Sequence, residues 1–309
     1  VKASIPLGNL NHVCPLDCIP SIDDPEFTPA AELEARATEM VIGITLNGVS
    51  KAYPLSQFRE VVNDEIGGTP VVVTWCPLCG TPIALKRTLD GEPVEFGVSG
   101  KLHHNDLVLY DRKSYTLWQQ VTGEAIVGPR TGQGLEMVPV DMVTYSQWVE
   151  HHPDTLVLTG GSFTRMTGER LPYEQQLRGM HQRELAAPDK RLDPYAVIYG
   201  VEYDGTSKAY PIKTIRDRAP IYDTVAGTRV AVLGIARTDF VRVINLEAGP
   251  APERLFIEED EIVDGSGRRW GLGGTATSAD TEDLVLLNAV RSYWFGWAAF
   301  HPDTALYEG

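Results

Sequence analysis

Nowhere does the chain run apolar for the roughly 18 residues that a helix needs to cross a bilayer, so no helical membrane span is expected. It lacks a Lys/Arg stripe interleaved with aromatic residues. With 27 basic against 42 acidic residues, the net charge of -15 and the pI near 4.9 repel a phosphate backbone and remove nucleic acid from the expected partners. Strings of the HExxH and nucleophile-elbow kinds are missing, so neither names a hydrolase. The glycine-rich "GSGRRWGLGG" follows acidic residues and opens no helical pattern, which excludes a phosphate loop. Cysteine is scarce: the four residues fall into two close pairs, Cys14/Cys18 and Cys76/Cys79. That arrangement suits disulfides outside the cytoplasm and metal or redox chemistry inside it.

What is present is an ordinary globular composition, 43% hydrophobic and 22% charged, in a chain of 309 residues, longer than a single core usually supports. Two domains or one duplicated domain are therefore expected, with the acidic excess serving solubility. The chain also repeats itself. "GITLNGVSKAYPLSQFREVVNDEIGGTPVVV" (43–73) is echoed by "YGVEYDGTSKAYPIKTIRDRAPIYDTVAGTRVAV" (199–232), and "YSQWVEHHPDTLVL" (145–158) by "YWFGWAAFHPDTALY" (293–307). Two landmarks in the same order indicate a duplicated unit.

Alternating apolar stretches broken by Asn-Gly, Asp-Gly and Gly turns predict hairpins. Helical spacing predicts short helices over 54–64 and 144–152. The expected fold is α+β and β-dominated, with two pseudo-symmetric antiparallel β-rich repeats and short helices. An N-terminal arm (1–34) precedes the first repeat (35–158); a connector of loops around a short helix (159–194) leads to a second, degenerate repeat (195–309). His-Pro-Asp-Thr, found in both halves, reads as a helix-exit turn. Glu60, Asn63 and Asp64 end the first predicted helix, where the second unit has Arg216, Asp217 and Arg218 at the comparable place, a difference that suggests a one-sided function.

The cysteines at 76 and 79 sit in "VVVTWCPLCGTPIAL", where the second unit has "VAVLGIARTDFVRV", so they are not needed to build the repeat. Trp before Cys-x-x-Cys resembles thioredoxin-like proteins, but their mechanism needs a helix after the first cysteine, and a strand pattern follows here. Cys-Pro-Leu-Cys-Gly is more similar to the metal-binding knuckles of rubredoxins and zinc ribbons. Two further ligands are then required: Cys14 and Cys18, or His103 and His104. Zinc is one candidate ion; in an oxidising compartment thiolate with imidazole suits copper. Adjacent histidines in a strand point to opposite faces, which limits the site to one of them. The alternative is structural disulfides, either local or cross-paired to tie the arm to the first repeat.

Together "AYPL", the cysteine segment, "FGVSGKLHHNDLVLYDRKSYTLWQQVTGEAIVG" and "HPDTLVL" resemble the DUF3179 family of bacterial and archaeal proteins over most of the chain. The resemblance implies a shared architecture and a site near the Cys-Pro-x-Cys-Gly and Tyr-Asp-Arg segments. Many members resemble exported or lipid-anchored proteins, which together with a chain starting at Val1 makes export the expectation and the cytoplasm the alternative. The sequence departs from the family pattern at Phe58-Arg59-Glu60, where members commonly have Trp-His-Glu, at the paired His103-His104, and at the Cys14/Cys18 pair, a feature of only some members.

Beyond the cysteines, Asp106 or Asp111 would serve an enzyme as general base, Arg112 as anion anchor, and Tyr110 or Trp118 as pocket wall. Without catalysis, Asp111 and Arg112 form a turn salt bridge and Trp118 is core. The leading expectation is a soluble, exported protein with a cysteine-centred metal or redox site in the first repeat. Its rivals are a binding or assembly module with structural disulfides, and an enzyme with a pocket around Tyr110–Arg112. The partner would be a small molecule or a protein.

Overall fold

Two tight hairpins start the two halves of the chain. In the first, Met40–Leu46 pairs with Val49–Pro54 around Asn47 and Gly48, whose φ values of 50° and 78° make the two-residue turn that matches strand twist. In the second, Val197–Tyr203 pairs with Thr206–Pro211 around Asp204 and Gly205, at 45° and 71°. The computed structural model describes residues 1–34, 37–57, 60–160, 189–235 and 239–309, and strands dominate it. Nearly every pairing is antiparallel. Among the described residues two strand pairs are parallel, Leu156–Leu158 on Val49–Pro54 and Ala305–Leu306 on Thr206–Pro211, which occupy matching places in their sheets, and so is the isolated bridge of Ile22 with Val62.

The Lys-Ala-Tyr motif has a physical reason in both halves. Alternation sends Lys51 and Tyr53 to one face, where Lys51 Nζ donates to both carboxylate oxygens of Asp64 at 2.9 Å and Tyr53 Oη donates to Oδ2 at 2.5 Å. Lys208 lies 2.6 Å from Asp223 Oδ2, to which Tyr210 donates at 3.1 Å. His-Pro-Asp-Thr is also explained. Trp148 of the helix Tyr145–His151 donates from Nε1 to Thr155 at 2.9 Å, and Trp297 of the helix Trp294–Phe300 to Thr304 at 3.0 Å. Each indole lies on a glycine of its hairpin, Gly43 or Gly200, where a Cβ would come within 2.4 Å of the ring.

Two large apolar cores each draw on both halves. One joins Cys76, Cys79, Phe96 and Trp118 to Ile198, Tyr293, Trp294 and Trp297; the other joins Val41, Trp148 and Val157 to Ala231, Phe240 and Trp270. Asp141 and Arg242 add a bidentate ion pair between the halves, at 2.5 and 2.7 Å. The N-terminal arm is stitched across the first half by strand Leu10–His12 on Phe96–His103, and by hydrogen bonds from Asp17 N to Val98 O and from Ile22 N to Val61 O.

One expectation fails. Val61–Ile66 is a strand and not the end of a helix over 54–64, because β-branched Val61 and Val62 and the Gly67-Gly68 turn commit it to a hairpin with Thr69–Cys76. The expected helix at 144–152 is present as Tyr145–His151, started by a capping box between Thr144 and Gln147. The connector helix and the departures at Phe58 and Arg59 lie outside the described residues.

Asp64→Ala leaves the buried Lys51 ammonium without its counter-charge and is expected to cost about 3 kcal/mol or more in denaturant unfolding. Replacing both residues, as Lys51→Met with Asp64→Leu, should recover most of that loss. Equal destabilisation by the single and double variants would refute the pairing argument.

Candidate functional site

The strand Thr69–Cys76 ends in a turn that returns as Thr81–Lys86, closed by Gly80 N donating to Cys76 O at 2.9 Å. Gly80 has φ +64°, and a Cβ there would meet the Tyr293 ring, so this position needs glycine twice over. Cys76 and Cys79 are free thiols, each 1% exposed. Below them Gln120 donates to Thr74 Oγ1 and Thr81 O, while Thr81 Oγ1 donates back to its carbonyl.

The second half closes the turn from above. Cys79 O accepts from Tyr293 N at 2.7 Å, and Gly80 O from Arg291 Nη1 at 2.8 Å. Gly296, inside the helix Trp294–Phe300, lets the helix backbone approach so closely that a Cβ would sit 3.2 Å from Cys79 Sγ.

Facing the thiols is the hairpin of Phe96–His103 and Asp106–Asp111. Its turn residues His104 and Asn105 both have positive φ, 51° and 62°, which aims the Asn105 carbonyl at the sulfurs. Cys79 Sγ donates to that oxygen at 3.3 Å and Cys76 Sγ at 3.8 Å. A carboxylate oxygen of the fully buried Asp106 and the two sulfurs all lie within 4.8 Å of one another. Asp106 Oδ2 accepts from Gln119 Nε2 at 2.5 Å and Val121 N at 3.1 Å, but the buried Oδ1 has no hydrogen-bond partner. Gln119 Oε1 lies 2.8 Å from His103 Nδ1, so with its amide committed to Asp106 the imidazole carries the proton on that nitrogen.

Burial dominates the protonation chemistry. It pushes the Asp106 carboxyl up to about 7, against the opposing pull of the Gln119 and Val121 donors and the nearby Cys76 thiol. The Cys79 thiol is raised by burial first and by Cys76 and Asp106 after it. The chain thus buries three weak acids together, a set that can give up protons to a cation or to a redox partner.

Of the residues singled out from the sequence, the structure brings together Cys76, Cys79 and Asp106, with His103 one hydrogen-bonded step behind. Cys14 and Cys18 are bonded to each other as a disulfide, so they offer no thiolate to Cys76 and Cys79, and the arm is held by hydrogen bonds and not by cross-paired cysteines. Only one of the histidines is in an exposed turn: His103 ends the strand, 6% exposed, while His104 is an exposed turn residue whose ring lies tilted beside it at 4.2 Å, both rings edge-on to Phe300.

The Tyr-Asp-Arg residues are engaged elsewhere. Tyr110 Oη donates to Asp17 at 2.5 Å; Arg112 pairs with Asp23 at 2.5 Å and Glu95 at 3.1 Å, not with Asp111. Asp111 accepts from Ser114 N, Ser114 Oγ and Trp118 Nε1, which fixes the turn to the next strand. Alternation places Leu107 and Leu109 in one core and Val108 in another, as the strand pattern requires. Sequence reasoning missed Gln119, the Asn105 carbonyl and Gly296. The pairing of "NDLVLYD" with "LWQQ" was the available signal for the first, since each acid of one takes a donor from the other.

Two outcomes follow. In reduced, chelator-treated protein, Asp106 holds its proton to about pH 7 when folded but releases it near 3.8 when unfolded. The stability of the neutral acid is therefore complete below pH 4 and lost as pH rises through 7, by roughly 4 kcal/mol relative to Asp106→Asn. Parallel pH–stability curves for the two proteins would contradict this. Gly296→Val should lower the free energy of unfolding by about 1–3 kcal/mol and speed maleimide labelling of Cys76 and Cys79. Unchanged labelling would mean that the helix does not seal the thiols.

None of the curated proteins or solved structures compared with this chain matches it. A family model does, over residues 16–304, which takes in the arm from residue 16 onward, the cysteine turn, Asp106 and both Trp-bearing helices. Its description is "Protein of unknown function (DUF3179)", and the chain belongs to that family.

Proposed function

We propose that Cys76, Cys79 and Asp106 form a thiolate–carboxylate metal site in the first of two structural repeats of an exported protein. The observation that carries the reading is a buried Asp106 carboxyl whose Oδ1 has no hydrogen-bond partner and which brings one of its oxygens within 4.8 Å of two free thiols. An orphaned buried carboxylate oxygen is costly, and a cation that displaced the three protons would remove that cost. The donor set, two soft sulfurs with one oxygen, suits a borderline first-row ion such as zinc.

The repeat reading is supported by the matched Lys-Tyr-Asp and Trp-Thr interactions, with the arm at 1–34, repeats at 35–158 and 195–309, and the connector at 159–194. Export is supported by the Cys14–Cys18 disulfide, which is stable in oxidising compartments. The second reading is a dithiol–disulfide pair, favoured by two free cysteines in one turn.

Reduced protein reconstituted with zinc should retain one ion per chain by native mass spectrometry. Cys76→Ser and Cys79→Ser should abolish retention, and Asp106→Asn should weaken it by roughly 10–100-fold. If wild-type protein retains no ion and instead loses two hydrogens reversibly under mild oxidants, the metal reading is wrong and the redox reading replaces it.

A further inference from the structure

We propose that the main-chain carbonyl of Asn105 is the fourth donor, so that a tetrahedral divalent ion of the zinc class is held by Cys76 Sγ, Cys79 Sγ, an Asp106 carboxylate oxygen and Asn105 O, with no position left for water or substrate. The inference rests on the metal reading above and states what that site is for. It fastens the cysteine hairpin to the hairpin Phe96–Asp111, and it does not process a substrate.

Distances come first. A sulfur and an oxygen bound to one tetrahedral zinc, at bond lengths of about 2.3 and 2.1 Å, lie about 3.5 Å apart. Asn105 O lies 3.3 Å from one sulfur and 3.8 Å from the other, bracketing that separation. The metal-free chain already holds this edge of a coordination tetrahedron.

Charge comes second. Both thiols now donate to Asn105 O. Loading a cation takes those protons away, two S–H bonds giving way to two S–metal bonds with the protons leaving to solvent. The carbonyl dipole would then point its negative end at two thiolates, unless the ion that removed the protons also binds the oxygen. Coordination by Asn105 turns that repulsion into attraction without moving the backbone.

Conformation and access come third. The carbonyl is fixed by a two-residue turn with φ of 51° and 62° inside a hairpin whose register pairs His103 with Asp106. Structural zinc sites fill all four positions with protein donors, whereas catalytic sites keep one open. Here the helix backbone at Gly296 abuts Cys79, the two cysteines are 1% exposed, and Asp106 and Asn105 are buried.

The decisive experiment is X-ray absorption of the zinc-loaded, reduced protein, with optical spectra of the cobalt-loaded form. Two sulfur and two light-atom scatterers, with tetrahedral cobalt bands that do not shift on adding azide or thiocyanate, are expected. Imidazole scattering, or a band shift with either anion, would overturn the proposal while leaving the metal reading in place; failure of the wild-type protein to take up either ion would sink both. As a second measurement, Asn105→Gly keeps the carbonyl and tolerates positive φ, so its zinc affinity should stay within about threefold of wild type. Asn105→Val disfavours that φ and should weaken binding by at least on the order of tenfold. Equal affinities for the two variants would argue against a main-chain ligand.

Discussion

Each half of this chain completes the core of the other, and most of the architecture depends on that exchange. The helix Tyr145–His151 sets Trp148 in a core shared with Ala231, Phe240 and Trp270, while Trp294 and Trp297 join the core that contains Cys76 and Cys79. Large aromatic side chains contribute the most apolar area per residue, so the two halves are held chiefly by their tryptophans. The Asp141–Arg242 pair fixes register across the join more than it adds strength, since desolvation offsets much of its attraction. Gly43 and Gly200 let each helix lie close on the hairpin of its own half, and Gly296 lets the second half's helix approach Cys79 of the first.

The thiol–carboxyl cluster sits where that exchange occurs. Its floor, walls and hairpin come from the first half, and its roof from Arg291, Tyr293 and Gly296 of the second. The two acids of "NDLVLYD" show how one short motif divides its labour. Asp111 has both oxygens engaged by Ser114 and Trp118 and is a fastening; Asp106 keeps one oxygen without a donor in a dry place. A fully satisfied carboxylate supports the fold, and a half-satisfied one demands a further explanation.

Much of this was legible in the sequence, for physical reasons that can be named. Asn47-Gly48 and Asp204-Gly205 permit positive φ at two successive positions, so the hairpins could be read directly. Helical spacing over 144–152 found the helix Tyr145–His151, whose start the structure shows capped by Thr144 and Gln147. The segment 54–64 misled because apolar residues at helical spacing also occur where a turn feeds a β-branched strand, and only the partner strand decides. The site was half legible: Cys76, Cys79 and Asp106 were all candidates, but a main-chain carbonyl carries no residue type to read, and Gly296 looks like any weak point in a helix. Those contributions come from chain segments distant in sequence that only the tertiary fold brings together.

The covering of Cys79 by Gly296 also orders events in time. The roof is made far later in synthesis than the turn it covers, and domains generally form from the N-terminal side as the chain emerges. Until the second half has folded back, the two sulfurs face whatever the compartment holds, and afterwards they do not. A reagent that comes to the sulfurs afterwards has to wait for the roof to open, whereas one that meets the nascent chain does not.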